Sequence, residues 1–261
     1  MGEQPLRVVQ WTTGYVGQQA VKEIVRRPDL ELGGVFAHDP GKVGKDAAEL
    51  CGLDEPTGVL ATNDEAALLA LAPDCVSYNR LHIDPDEVAR ILRAGVNVVT
   101  TSEFLTGYGI GPEATATIRE AAEAGGATIL GTGVNPGFAE LFAAVGAGIS
   151  RNIRKLTLSE SADVTLFAND PNFTGVGWNR PGGDPGHAAD VEQATIVFGD
   201  ALEELAGLMG LTLDERRCTV TFAHATEDLE IPGMSIPAGH VAGMDVDWDG
   251  LVDGQVRIGV H

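Results

Sequence analysis

Apolar positions along the first half of this chain fall into two alternating rhythms. Leu6 to Trp11 is a short apolar run, and Val16, Ala20, Val21, Ile24 and Val25 then follow at helical spacing. Pro28 stops that helix, and Leu30 to Ala37 reads as a second strand. Gly58 to Thr62 predicts a third strand, with Asn63 or Asp64 capping a short helix through Leu71. Asp74 to Tyr78 predicts a strand, Asp84-Pro85 opens a helix to about Ala94, and a strand ending at Thr100 follows Gly95. A helix from Pro112 to Ala124, closed by Gly125-Gly126, leads into a strand from Ala127 to Leu130. Strands alternating with helices in this way predict an α/β domain, a doubly wound parallel sheet covered on both faces.

The rhythm changes after residue 137. Phe138, Leu141, Phe142 and Val145 mark a helix from Phe138 to Ile149, and Lys155 to Phe167 reads as one long strand. Ala168 to Asp190 is a Gly/Pro/Asn-rich loop, of a length that is uncommon in compact proteins unless it serves function. A helix from Ala188 to Gly210 precedes strands at Cys218 to Ala225, His240 to Trp248 and Gln255 to Val260. The Asp249 to Gly254 link favours an antiparallel hairpin between the last two. The expected organisation is therefore a Rossmann-type domain over 1–137 and an α+β domain with a mostly antiparallel sheet over 138–261.

The first strand-to-helix turn carries candidate chemistry. Gly14 and Gly17 hold the second and third positions of G-x-G-x-x-G, while Thr12 stands where the first glycine would be. Such a turn lets backbone N–H groups at a helix start meet a pyrophosphate, which nominates Thr12, Gly14, Tyr15, Val16 and Gly17 as cofactor contacts. His38 and Asp39 end the second strand, Asp39 lying 22 residues after Gly17, where the adenosine ribose is read. An acid there favours the free 2′-hydroxyl of NAD, but Lys42 and Lys45 follow closely and would meet the 2′-phosphate of NADP. Both cofactors stay open. Tyr78, Asn79 and Arg80 end another strand, as do Thr100 and Thr101, and Asn135 lies in the Gly131 to Gly137 turn. All are nominated as cofactor contacts on the carboxyl edge of the sheet. Glu103 is the one carboxylate at that edge beside apolar neighbours, Phe104 and Leu105, whose burial would suit it to proton transfer. In the second half Phe138, Phe167, Asn169 and Trp178 are candidate substrate contacts, with Asn179, Arg180 and His187 as further polar groups in the same loop.

Composition narrows the partners. Thirty-eight acidic residues against 17 basic ones give a formal net charge of -21, which would repel nucleic acid and anionic membrane and favours a small-molecule partner. Cys51, Cys75 and Cys218 are odd in number and widely spaced, so they suggest neither a disulfide framework nor a zinc site. With no signal segment and no apolar run of bilayer length, a cytoplasmic protein is expected.

With these residues placed, the chain resembles the 2,4-diaminopentanoate dehydrogenase family and related NAD(P)-dependent amine dehydrogenases, distant relatives of dihydrodipicolinate reductase. The resemblance spans nearly the whole chain. It rests on QWTTGYVG (10–17), HDPGKVGKDAAELCG (38–52), NVVTTSEFL (97–105), GTGVNPGF (131–138) and ESADV (160–164). It implies a nicotinamide cofactor, often NADPH, and a glutamate at Glu103 acting on an amine or imine centre. The oxidoreductase it implies deaminates an amine or amino acid, or aminates a ketone in reverse. A reductase of a carbonyl or cyclic imine is the alternative, and a non-catalytic dinucleotide-binding relative a further one. The His-His and Pro-Ser-Gly-Thr segments of dihydrodipicolinate reductase proper have no counterpart here, nor does the Glu-Lys-Pro of the glucose-fructose type of sugar oxidoreductase. Relatives of the family continue beyond the position of His261, so a fragment or a shortened member is expected, and an open antiparallel sheet suits a homodimer.

Overall fold

The computed structural model describes residues 4–168 and 175–261. By internal contacts the chain divides into two units, Met1–Gly133 and Val134–His261.

The first unit alternates β1 (Leu6–Trp11), α1 (Tyr15–Arg26), β2 (Leu30–Phe36), α2 (Ala47–Cys51), β3 (Ala61–Thr62), α3 (Glu65–Ala70), β4 (Cys75–Tyr78), α4 (Pro85–Arg93), β5 (Asn97–Thr100), α5 (Pro112–Gly125) and β6 (Ile129–Gly131). All six strands run parallel in the order β3-β2-β1-β4-β5-β6. That is the order of a doubly wound dinucleotide fold. The helix starts follow from capping: Asp64 accepts from the Ala67 N–H and Asp84 from the Glu87 N–H, with Pro85 in the first turn of α4. One apolar core gathers Val9, Trp11, Val76 and Val98 of the sheet with Ile91, Leu92 and Ile118 of α4 and α5. A second joins Val21, Val35, Ala47 and Cys51, from α1, β2 and α2. The third strand is shorter than the sequence predicts. The Asp46 carboxylate accepts from Ala48 N, Thr57 N, Thr57 Oγ1 and Gly58 N, which turns the approach to β3 into a knot around that side chain. Those donors pull the Asp46 pKa down to about 2.

The second unit holds α6 (Ala139–Ala147), β7 (Leu156–Leu158), α7 (His187–Ala194), α8 (Val197–Leu208), β8 (Glu215–His224), the hairpin β9 (Leu229–Ile231) and β10 (Met234–Ile236), β11 (Val241–Val252) and β12 (Gln255–Val260). A four-stranded sheet, β7-β12-β11-β8, is antiparallel except for its parallel β7–β12 pair. Asp253 and Gly254, at φ of 52° and 71°, form the two-residue link between β11 and β12. Asp-Gly with both residues left-handed is the favoured type I′ hairpin turn. Leu202, Leu205, Trp248 and Ile258 centre the core of this unit.

Two expectations need correction here, and one element was not foreseen. The long strand from Lys155 to Phe167 reduces to β7, because β12 offers it only Ile258 to Val260 as partners and Asp163 then folds the chain into a turn by accepting from Thr165 N and Oγ1. The helix from Ala188 to Gly210 is two helices. Thr195 breaks it, donating its hydroxyl to the Val191 carbonyl at 2.8 Å and accepting from Trp248 Nε1 at 3.1 Å. The β9–β10 hairpin was not expected from the pattern at all. Among the described residues no helix is long and apolar enough to cross a membrane.

Candidate functional site

The parallel sheet brings its strand ends level. Phe36, Trp11, Tyr78, Thr100 and Gly131 are successive register partners across β2, β1, β4, β5 and β6, so the turns that follow them share one edge. At its centre, Gly14 caps α1 without any side-chain partner, and no acidic residue stands in the first turn. The first N–H groups of a helix lack intrahelical acceptors, and no capping side chain meets them here. A Cβ at Gly14 would meet nothing within 4 Å, whereas one at Gly17 would fall on the Thr12 carbonyl. Gly17 thus lets the helix pack against the turn, and Gly14 leaves the space above it open.

Thr12 explains its own departure from the motif. It adopts φ of 79°, the left-handed backbone that a glycine supplies and that a β-branched residue rarely takes. Three hydrogen bonds hold it. Thr12 N donates to the Phe36 carbonyl at 3.0 Å, Oγ1 donates to the Asn79 carbonyl at 2.9 Å, and its own carbonyl accepts from Gln10 Nε2 at 3.1 Å. The buried Gln10 also donates to Asn79 Oδ1 at 2.8 Å, and Asn79 Nδ2 donates to Thr101 Oγ1 at 3.0 Å. Asn79 and Thr101 therefore tie the ends of β1, β4 and β5 together. Gln10 carries no motif signature, which is why the sequence did not reveal it.

Glu87 of α4 is a second residue that sequence reasoning missed. Buried, it accepts from the Tyr78 hydroxyl at 2.7 Å and from Arg80 at 3.1 Å, and lies 3.0 Å from His38 Nε2. Burial pushes its pKa up, but the hydrogen bonds, led by that from Tyr78, together outweigh burial and hold it below the ordinary glutamate value. Burial and the bond to Glu87 push the Tyr78 phenol up in turn. Tyr78 is itself buried, so its hydroxyl serves Glu87, while His38 keeps 43% of its side chain exposed at the sheet edge. Asp39 turns its Oδ1 back to accept from Gly41 N at 2.8 Å, and Lys42 reaches across to Thr13, donating to its Oγ1 at 2.9 Å. Tyr15 and Val16 are exposed at the start of α1.

After β5, the buried Thr100 accepts through Oγ1 from Ser102 N, and Ser102 Oγ donates to the Arg80 carbonyl at 2.6 Å. Phe104 inserts into the core while Glu103 keeps 40% of its side chain exposed, its carboxylate 3.1 Å from His82 Nδ1. The apolar neighbours thus anchor the loop, and an exposed imidazole is the group that meets Glu103.

In the second unit, Asn135 donates to Glu160, and both line a cavity of about 230 Å³ with Trp178, Phe198, Met244 and His261. Among the described residues, none donates a hydrogen bond to the buried Asn135 Oδ1. Phe138 and Phe167 are exposed and are not among the cavity walls, and Asn169 lies outside the described residues. Arg180, Asn179 and His187 serve the fold. Arg180 pairs with Asp184 and Asp190, Asn179 Nδ2 donates to the Ser235 carbonyl, and His187 stacks on Phe222 with centroids 4.1 Å apart. Burial, with Arg180 nearby, lowers the His187 pKa.

No family model matches the chain. Over 97% of its length it is 28% identical to an amine dehydrogenase of Streptomyces virginiae and covers 73% of that protein. A shorter match, 42% identical over 62 residues, is to the 4-hydroxy-tetrahydrodipicolinate reductase of Trichormus variabilis; it covers 24% of this chain and 22% of the reductase. Among solved structures, the amine dehydrogenase of Mycobacterium smegmatis superposes with a TM-score of 0.79 at 22% identity, over 98% of this chain and 78% of that one. The WlbA dehydrogenase of Bordetella pertussis, solved with NADH and UDP-GlcNAcA, does so with a TM-score of 0.58 at 12% identity, over 100% and 67%. Across nearly its whole length the chain is similar to an amine dehydrogenase, and it carries the parallel sheet and mixed second sheet described above.

Proposed function

We propose that this protein is an NAD(P)-dependent dehydrogenase acting at a C–N centre, deaminating an amine or amino acid and, in reverse, aminating a ketone. One observation carries the reading: the uncapped start of α1 and the Glu103 loop follow strands whose last residues, Trp11, Tyr78 and Thr100, are register partners on one sheet edge. The open space over Gly14 and the close packing at Gly17 fit a dinucleotide there. Thr12 to Gly17 would hold the pyrophosphate, and the turn after β2 the adenosine ribose. A bound nicotinamide supplies or accepts the hydride. Glu103 does the proton work: it takes a proton as ammonia adds to the carbonyl carbon and returns one to the departing water, and in deamination it activates water against the imine. His82, 70% exposed and beside the carboxylate, passes protons to solvent.

Within the second unit, the Asn135–Trp178 cavity is the candidate substrate pocket. Val164, Phe198, Met244 and Val246 offer an apolar wall, and Glu160 and Asn135 polar atoms, which suits a compact apolar body bearing an amine. A homodimer in the cytoplasm completes the reading. It rests on the scattered free cysteines and on the apolar stripe of Phe138, Phe142 and Val145 left exposed along α6.

Glu103→Gln tests the assignment. Turnover of an amine panel with NAD⁺ or NADP⁺ falls by about 100- to 10,000-fold, while the dissociation constant of the dinucleotide stays within about threefold. Unchanged turnover removes Glu103 from the mechanism. The short reductase match favours a second reading, reduction of a carbonyl or cyclic imine without free ammonia. Ammonia-dependent oxidation of NAD(P)H across a ketone panel separates the two.

A further inference from the structure

We infer that Lys42 selects a dinucleotide bearing a 2′-phosphate over one with a free 2′-hydroxyl, an inference that rests on the dinucleotide reading of the Gly14 turn. The sequence left two opposite signals in the loop after β2, an acid and two lysines. The structure separates them. Asp39 Oδ1 is held by Gly41 N at 2.8 Å, where it caps the turn over Pro40 to Lys42. Lys45 Nζ lies 3.0 Å from Glu49, so its charge is already met. Lys42 Nζ instead crosses to the phosphate turn, donating to Thr13 Oγ1 at 2.9 Å and approaching the Thr13 carbonyl at 3.4 Å. Among the described residues no carboxylate forms an ion pair with it.

An ammonium has three protons, and Thr13 accounts for at most two. The third is available to an anion lying between the β2 loop and the start of α1. That is the adenosine-ribose side of the cradle, since the pyrophosphate takes the N–H groups of the helix itself. In a chain of net charge -21, a ligand carrying an extra phosphate, about two more negative charges, needs a local cation to enter. Lys42 is that cation, held by Thr13 in advance of binding.

The test compares NADPH with NADH, and adenosine 2′,5′-bisphosphate with AMP, by calorimetry and nicotinamide fluorescence. The wild-type chain binds NADPH at least about tenfold more tightly than NADH. Lys42→Ala weakens NADPH and the bisphosphate by about tenfold to a hundredfold and leaves NADH and AMP within about threefold. Lys42→Arg restores much of the NADPH affinity, and Lys45→Ala leaves the ratio unchanged. Equal weakening of NADPH and NADH in Lys42→Ala, a wild-type preference for NADH, or a change carried by Lys45 instead overturns the inference and leaves the dehydrogenase reading standing. Failure of the folded wild-type chain to bind either dinucleotide overturns both. Lys42 is a partly exposed turn residue, so thermal melts of all three variants match the wild type.

Discussion

Two buried acidic clusters, one in each unit, show how the same burial leads to opposite chemistry. In the first unit Glu87 sits among donors, Tyr78, Arg80 and His38, and stays ionised with a lowered pKa. In the second unit Glu140 and Asp200 are fully buried and Glu204 lies near both, one turn beyond Asp200 on α8. Glu140 accepts from Gly137 N, yet among the described residues none donates to its second oxygen or to Glu204 Oε2, both buried. Burial first, then the charges of Glu140 and Asp200, push the Glu204 pKa up to about 7. A carboxylate in a protein interior is tolerated when donors surround it and otherwise keeps its proton. The partners, rather than the depth, decide which.

The comparison breaks most visibly at Glu87. Glu87→Ala leaves the Tyr78 hydroxyl without its acceptor and Arg80 with Asp84 alone, and costs about 3 kcal/mol or more in urea denaturation. A loss below about 1 kcal/mol would mean the cluster is solvated in solution. Because the folded pKa of Glu87 is lowered, its contribution is present above the ordinary value of 4.5 and disappears as pH falls through the lowered one.

Glu204 runs the other way. Its folded pKa of about 7 stands above the ordinary 4.5, so the native state holds an extra proton between those values and stability falls as pH rises through that window. Glu204→Gln removes the penalty. At pH 8 it stabilises the protein by about 2 kcal/mol, allowing for partial solvent access, and at pH 4 it has little effect. Equal stabilisation at both pH values would show that packing, rather than charge, is responsible. The smallest effect belongs to Tyr78→Phe, which removes one donor from Glu87 while keeping the ring. It costs about 1 to 2 kcal/mol, and its acid unfolding midpoint moves up, toward the behaviour of a less well-paired carboxylate.

Neither cluster was legible in the sequence, and the reason is specific. Glu87 stands three residues after Asp84 in a capping arrangement, where a glutamate reads as solvated, and only the ends of β2 and β4 bring His38 and Tyr78 over it. Glu140 and Glu204 are separated by 64 positions and meet through helix packing that no local pattern encodes. What could be read was periodic or punctuated: the alternating strands and helices of the first unit, the Asp64 and Asp84 caps, the Gly126 stop, and the carboxyl edge that Trp11, Tyr78 and Thr100 share. The Thr12 departure from the glycine motif was visible, but its meaning was not. Three hydrogen bonds, two of them to the distant Phe36 and Asn79, let a threonine take the backbone of a glycine. The second unit was read less well because its long strand and long helix are cut by Asp163 and Thr195, whose side chains bond locally against the regular pattern.

Trp11 stacks on Phe36 with ring centroids 4.2 Å apart and an interplanar angle of 8°, one residue before the Thr12 turn. Trp178 and Trp248 both lie in the second unit, one at the cavity and one in the core. The first unit therefore carries a single indole, sealed from water. Replacing the other two with phenylalanine leaves an optical probe whose emission reports melting of the first unit alone, so that unit's unfolding can be timed separately in one intact chain.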